Sequence, residues 1–162
     1  MRDPIVKTIG YRLTHTARLQ KVLAARLLSE IGLFPGQDRV LKLLLEKDGR
    51  TMGDLAEVLR VRPPTVSKTI ARLTSQGLVE RRAGEGDGRL VRVFLTAAGR
   101  ERSGFIDKIQ HNLEAELTRG LNGKERRRLR KLMRKIEKNL MHQLGVKSGT
   151  PDEPDSTEED YA

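Results

Sequence analysis

The sequence contains no cysteine. Disulfide cross-links, zinc–thiolate centres and thiol-based redox sensing are therefore closed to it. It also contains no tryptophan, and its few other aromatic residues, Tyr11, Phe34, Phe94, Phe105 and Tyr161, are scattered. Single-stranded nucleic acid is commonly held by bases stacked on aromatic rings set among cationic side chains. No stretch here interleaves the two, so a nucleic-acid partner is expected to be duplex DNA rather than single-stranded RNA. Long apolar runs are missing as well. The longest is Val22–Ala25, far short of the roughly 20 residues that a membrane-spanning helix needs. The N-terminal segment has no apolar signal-peptide core, and a cytoplasmic location with no membrane partner is expected by elimination.

Residues for chemistry are equally sparse. His15, His111 and His142 fall on three separate expected helices, and no His-x-x-x-His or mixed carboxylate spacing suits a metal ion. They read as ordinary polar positions. Gly84-Glu85-Gly86-Asp87-Gly88 is rich in glycine, but it joins two expected strands and opens no helix whose N-terminus could hold a phosphate. No catalytic residue, metal ligand or cofactor is assigned, and the chain is not expected to be an enzyme.

What the sequence has in excess is positive charge. Its 32 Lys and Arg residues outweigh 22 Asp and Glu, for a net charge of +10 and a pI near 10.3. A polyanionic partner follows, with nucleic acid the first candidate. The charge is unevenly placed. Lys124–Lys138 holds nine basic and two acidic residues, whereas 149–162 holds six acidic residues, two prolines and no basic residue. The basic run reads either as a solvated helical face or as an extension of a non-specific DNA surface. The acidic stretch is too polar to bury a core and is expected to be disordered.

Periodicity supplies the architecture. Thr51 followed by Asp54 is a capping-box signal, and Leu55, Val58 and Leu59 recur at helical spacing after it. Val61-Arg62-Pro63-Pro64 ends that helix and begins another, since proline suits a first helical turn. Val66, Ile70 and Leu73 form one apolar stripe, with Thr65, Ser67, Lys68 and Arg72 between them on the polar, basic side. Gly77 closes the helix. Leu78–Arg82 then reads as a strand, and Val91, Val93 and Leu95 alternate with Leu90, Arg92 and Phe94 as a second strand. This is a helix-turn-helix followed by a wing. Around it, residues 4–33 read as one long helix, and a second helix runs from Pro35 through Leu45. A third, capped by Thr96, carries Phe105–Leu117, Asn122-Gly123 breaks it, and a last helix follows to Leu144.

The segment resembles the MarR (multiple antibiotic resistance regulator) family of winged-helix transcription regulators. The matching residues are Asp54-Leu55-Ala56, Thr65-Val66-Ser67-Lys68, Leu73, Gly77-Leu78-Val79-Glu80-Arg81, Asp87-Gly88-Arg89 and Leu95-Thr96-Ala97-Ala98-Gly99-Arg100. The resemblance covers roughly residues 5–145. Arg62 departs from it, standing where the family usually has a small capping residue, and so does Gly88, where many members have a second wing arginine. The resemblance implies a DNA interface of Arg62, Pro64, Thr65, Ser67, Lys68, Arg72, Arg81, Arg82, Asp87 and Arg89. In it the second helix of the motif enters the major groove, Arg89 the minor groove, and Asp87 orients Arg89. It also implies an effector that is small and aromatic or anionic. Tyr11 and His15, four apart on one helical face, are then its candidate contacts. Read from the residues alone, they are a packed tyrosine and an exposed histidine.

The expected fold is mainly α with a small β-wing: a winged helix-turn-helix plus a helical dimerisation layer from both termini. Residues 1–34 form the N-terminal dimerisation helix, 35–96 the DNA-binding domain, 97–146 the C-terminal dimerisation helices, and 147–162 the acidic tail. The expected function is a homodimeric, sequence-specific regulator of transcription, a repressor on a pseudo-palindromic operator, released by its effector. The rival readings are an architectural protein that coats DNA without sequence preference, and an RNA-binding or interaction module using the last helix.

Overall fold

A computed structural model describes residues 4–83 and 91–145. Asp87, Arg89 and the acidic stretch 147–162 lie outside the described residues. The chain divides into two compact units, Met1–Leu117 and Thr118–Ala162. The architecture is mainly helical, with a small three-stranded antiparallel sheet.

The first unit begins with a 3-10 turn, Pro4–Lys7, and then α1, Ile9–Glu30. The expected single helix over 4–33 is therefore interrupted near its start. Thr8 is the reason: its hydroxyl accepts from the Tyr11 backbone N–H at 3.2 Å and caps α1. Leu28 is the one buried residue of α1.

α2 is Gln37–Glu46, with Val40, Leu41 and Leu44 buried. Gln37 is buried too, and its polar atoms are matched. Its amide oxygen accepts from the Phe34 N–H at 2.8 Å, and its Nε2 donates to Gln76 at 2.9 Å. α3, Met52–Leu59, packs on α2 and the sheet, and α4, Pro63–Ser75, packs on α3 and on the strand that follows it.

The strands are β1 (Arg50–Thr51), β2 (Val79–Ala83) and β3 (Val91–Leu95), in the order β1-β3-β2. β1 has no counterpart in the sequence reading; two residues are too few to show alternation. In β3, Val93 and Leu95 reach the core, but Val91 is exposed because it lies beyond the helices on the projecting wing. The core gathers Leu41, Leu44, Leu55, Ile70, Leu73, Val79, Val93 and Ile106, each at most 2% exposed. Burying each such side chain favours folding by roughly 1.5–3 kcal/mol.

The helix expected after Thr96 is two helices, α5 (Ala97–Ser103) and α6 (Ile106–Leu117), parted at Gly104-Phe105. In the second unit, Asn122 caps α7, Gly123–Leu144. Glu125 N–H donates to its side chain at 3.0 Å, and its own N–H donates to the Glu125 carboxylate at 2.8 Å. No residue of α7 is buried. Among the described residues, no helix is long and apolar enough to cross a membrane.

Candidate nucleic-acid interface

The helix pair α3–α4 is held at both ends of its turn. At the start of α3, Thr51 and Asp54 exchange hydrogen bonds: Asp54 N–H to the Thr51 hydroxyl at 3.1 Å, Thr51 N–H to the Asp54 carboxylate at 3.2 Å. The Thr51 backbone N–H, then its side chain, holds the Asp54 carboxyl below the usual carboxylate range. At the other end Arg60 closes α3 at φ 53, the one non-glycine residue with positive φ among those described.

α4 buries Val66, Ile70 and Leu73 and leaves Arg62, Pro64, Thr65, Ser67, Lys68 and Arg72 exposed. At 3.6 residues per turn, Pro64, Lys68, Ala71 and Ser75 lie opposite the buried stripe, with Thr65, Ser67 and Arg72 beside them. Ala71 and Ser75 are the members of this outer face that the sequence reading does not assign. Thr69 turns inward instead, its hydroxyl donating to the Thr65 carbonyl at 2.9 Å.

The start of α4 explains the departure at Arg62. As N-cap it makes no side-chain cap bond. Pro63 and Pro64 have no N–H, so two of the orphan donors that a cap normally satisfies do not exist. Thr65 N–H is taken by the Arg62 carbonyl at 2.9 Å. A capping side chain is thus dispensable, and a helix start poor in N–H donors has a guanidinium beside it instead.

On the wing, Arg81 pairs across from Val93, and Arg82 from Arg92. Arg82 is engaged within the sheet: it pairs with Glu80 and lies over the Phe94 ring at 4.7 Å. Arg92 donates to the Gly49 carbonyl at 2.8 Å. By contrast, the side chains of Arg62, Lys68, Arg72 and Arg81 have no hydrogen-bond or ion-pair partner among the described residues.

The base of the wing is clamped to α5 by the Leu95-Thr96-Ala97-Ala98-Gly99 run. The Thr96 hydroxyl accepts from Gly99 N–H at 3.0 Å and donates to the Gly77 carbonyl at 2.6 Å, while Thr96 N–H donates to Leu78 O at 3.1 Å. A Cβ on Gly99 would overlap that same Leu78 carbonyl, which is why glycine stands there. Asp48 completes the clamp: it accepts from Leu95 N–H at 3.0 Å and pairs with Arg100.

Tyr11 and His15 stack on α1, with ring centroids 5.7 Å apart and planes 8° from parallel. Tyr11 is half-buried and His15 exposed. An open groove of about 190 Å³ elsewhere is lined by Arg39, Lys42, Leu43, Glu46, Val58 and Leu59, and neither Tyr11 nor His15 belongs to it. Among the described residues, no group of His, Cys, Asp or Glu could hold a metal ion.

A family model described as the MarR family matches residues 21–90. The uncharacterized HTH-type transcriptional regulator YdgJ of Bacillus subtilis (strain 168) is 26% identical over 122 residues, 75% of this chain and 74% of that protein. The reduced form of MarR from E. coli is 28% identical with a TM-score of 0.70, covering 80% of this chain and 96% of that one. A cysteine-to-serine variant of MarR from E. coli, complexed with operator DNA, is 27% identical with a TM-score of 0.70, covering 83% and 98%.

Proposed function

We propose that the chain is a MarR-family winged helix-turn-helix, DNA-binding transcription regulator, as the family match over residues 21–90 and the similar solved structures support, and that it is a cytoplasmic homodimer that represses by covering a pseudo-palindromic operator. The single observation behind the operator contact is the set of cations, Arg62, Lys68, Arg72 and Arg81, that have no partner among the described residues and stand around a helix whose other face is locked into the core. A helix fixed this way presents side chains to a groove without reorganising. Lys68 and Arg72 read base edges or grip phosphates, Thr65 and Ser67 hydrogen-bond either, and Pro64 packs on a thymine methyl. Arg81 holds the backbone, and Arg82 braces the wing through Phe94. By the family resemblance Arg89 is assigned the minor-groove contact and Asp87 the orienting of Arg89, both outside the described residues.

The dimer reading rests on apolar side chains left exposed on the terminal helices, among them Ile9, Leu19 and Val22 on α1 and Leu129, Leu132 and Leu140 on α7. Two recognition helices would then lie about one DNA turn, roughly 34 Å, apart. Release by a small aromatic or anionic effector, with Tyr11 and His15 in contact, is part of the same reading. Thiol oxidation is not a release signal in this chain, which has no cysteine. The family is one of regulators rather than enzymes.

Selection of bound sites from random duplexes at stated salt, followed by footprinting, tests the proposal. A short protected palindrome is expected. Diffuse coverage with no enriched site would replace it with a DNA-coating protein, and equal competition by RNA at matched salt would make the last helix the binding element.

A further inference from the structure

α7 carries two faces, and the proposed dimer uses only one. Leu129, Leu132, Met133, Ile136 and Leu140 form its apolar stripe. At 3.6 residues per turn the opposite side carries Lys124, Arg127, Arg128, Lys131, Arg134, Lys135 and Lys138. Every one of these cations is exposed, and none has a hydrogen-bonded or ion-paired side-chain partner among the described residues. The two acidic residues of the run are not on this side. Glu125 is occupied in the Asn122 capping box, and Glu137 lies at the margin of the face, three residues from Arg134. Lys124/Arg128, Arg127/Lys131, Lys131/Lys135 and Arg134/Lys138 are like-charge pairs four residues apart, which oppose the helix they sit on. A polyanion laid along the face would relieve that repulsion.

We propose that the occupant of this face is the chain's own acidic segment, Asp152–Asp160, and that it shields α7 from nucleic acid. The complementarity is direct: six carboxylates and no cation in 149–162, against seven cations and no carboxylate on the face. Reach permits it. α7 rises about 1.5 Å per residue, so Lys138 lies roughly 9 Å and Arg127 roughly 26 Å back from Leu144. The eight residues 145–152 span up to about 27 Å when extended. Attachment to the same helix keeps the acidic segment at an effective concentration that can approach about millimolar. Each exposed pair is weak and screened by salt, so the shield yields to high salt. The inference does not depend on the operator reading, because α4 and the wing are not part of it.

The test uses the full chain. Its lack of cysteine lets Ser156→Cys carry a single spin label. Two labelled chains are compared, one with native acids and one with Asp152→Asn, Glu153→Gln, Asp155→Asn, Glu158→Gln, Glu159→Gln and Asp160→Asn. Broadening of backbone amides over residues 127–138 is expected in the first chain only, and is expected to vanish at about 0.5 M salt. Equal broadening in both chains, or broadening centred on α4, overturns the assignment. Unlabelled, the neutralised chain is expected to bind random-sequence duplex about 3–10-fold tighter at roughly 50 mM salt, the difference closing near 200 mM. Unchanged affinity at the lower salt overturns the shielding role. If duplex DNA shifts the α7 amides equally in both chains, the face is a nucleic-acid contact and the proposal fails.

Discussion

α4 and α7 look alike as sequence: each alternates an apolar stripe with lysines and arginines at helical spacing. Their stripes meet opposite fates. Val66, Ile70 and Leu73 are at most 1% exposed, whereas Leu129, Leu132, Met133, Leu140 and Leu144 are 42–74% exposed. An amphipathic pattern says that a face needs cover; it does not say what provides it. For α4 the cover is this chain's own α3 and strands. The stripe of α7 is left exposed, and so are Ile9, Leu19 and Val22 on α1. The cations inherit the difference. Those of α4 stand on a helix fixed from behind, which suits reading a groove. Those of α7 stand on a helix with no buried residue.

The largest expected effect breaks the fixed side of this comparison. Ile70→Ala removes a fully buried side chain and is expected to cost about 2–5 kcal/mol in chemical denaturation. The loss should be the same at every protein concentration. A cost below about 1 kcal/mol would mean that the winged unit is not completed by its own chain.

Leu132→Lys combined with Leu140→Lys attacks the other side. Light scattering of the unaltered protein is expected to give twice the chain mass of 18.3 kDa. The double variant is expected to fall to the monomer mass while the winged unit keeps its cooperative unfolding. Thermal stability of the unaltered protein should rise with its concentration, as for any assembly that binds only the folded state. A variant that remains dimeric would clear the α7 stripe of any part in assembly.

Much of this was legible beforehand, and the misses have physical causes. The α3–α4 pair announced itself through Thr51, Asp54, the two prolines and Gly77, all local backbone signals that tertiary packing did not override. The hairpin was legible from alternation in Val91–Leu95, although alternation could not tell that Val91 projects past the core. β1 was missed because its pairing, Arg50 with Val93 and Thr51 with Arg92, is non-local. The break at Gly104-Phe105 was hidden because Phe105, Ile106 and Ile109 continue a helical period across it. The partners of Arg82, Glu80 and Phe94, were not legible because they come into reach only once the strands pair. Asn122-Gly123 read as the break in a helix, but α6 already ends at Leu117; the role of Asn122, capping α7, needed the Glu125 side chain turned back to be seen.

The third expectation separates the two sets of cations. Lys68→Ala is expected to weaken operator binding by about 1–3 kcal/mol and to relax preference at one base position. Arg81→Ala should weaken all sequences alike and lower the salt slope by about 1 per lost phosphate contact. Lys131→Ala, on α7, should leave operator binding within about 0.5 kcal/mol. A Lys131 effect equal to that of Lys68 would erase the distinction between the fixed and the unfixed basic face.

The smallest effect concerns Arg60, where the two kinds of cation can be compared at one residue. It sits in the turn between α3 and α4 at φ 53 and ψ 44, exposed, with its backbone N–H bonded to Ala56 and Glu57 carbonyls. That left-handed conformation costs a residue with a Cβ about 1–2 kcal/mol, and glycine avoids the cost. Glycine also gains freedom in the unfolded chain, which offsets part of the benefit. Arg60→Gly is therefore expected to stabilise the fold by less than about 1 kcal/mol. It also removes a cation that the backbone, rather than a packed stem, holds beside Arg62 at the mouth of the recognition helix. If that cation serves DNA, the variant should be slightly more stable yet bind all duplexes a few-fold more weakly, with a salt slope shallower by about 1 per subunit. A gain in stability with unchanged affinity would reduce Arg60 to a solvated side chain at a strained turn. A loss of stability would show that the arginine stem contributes packing that outweighs the strain.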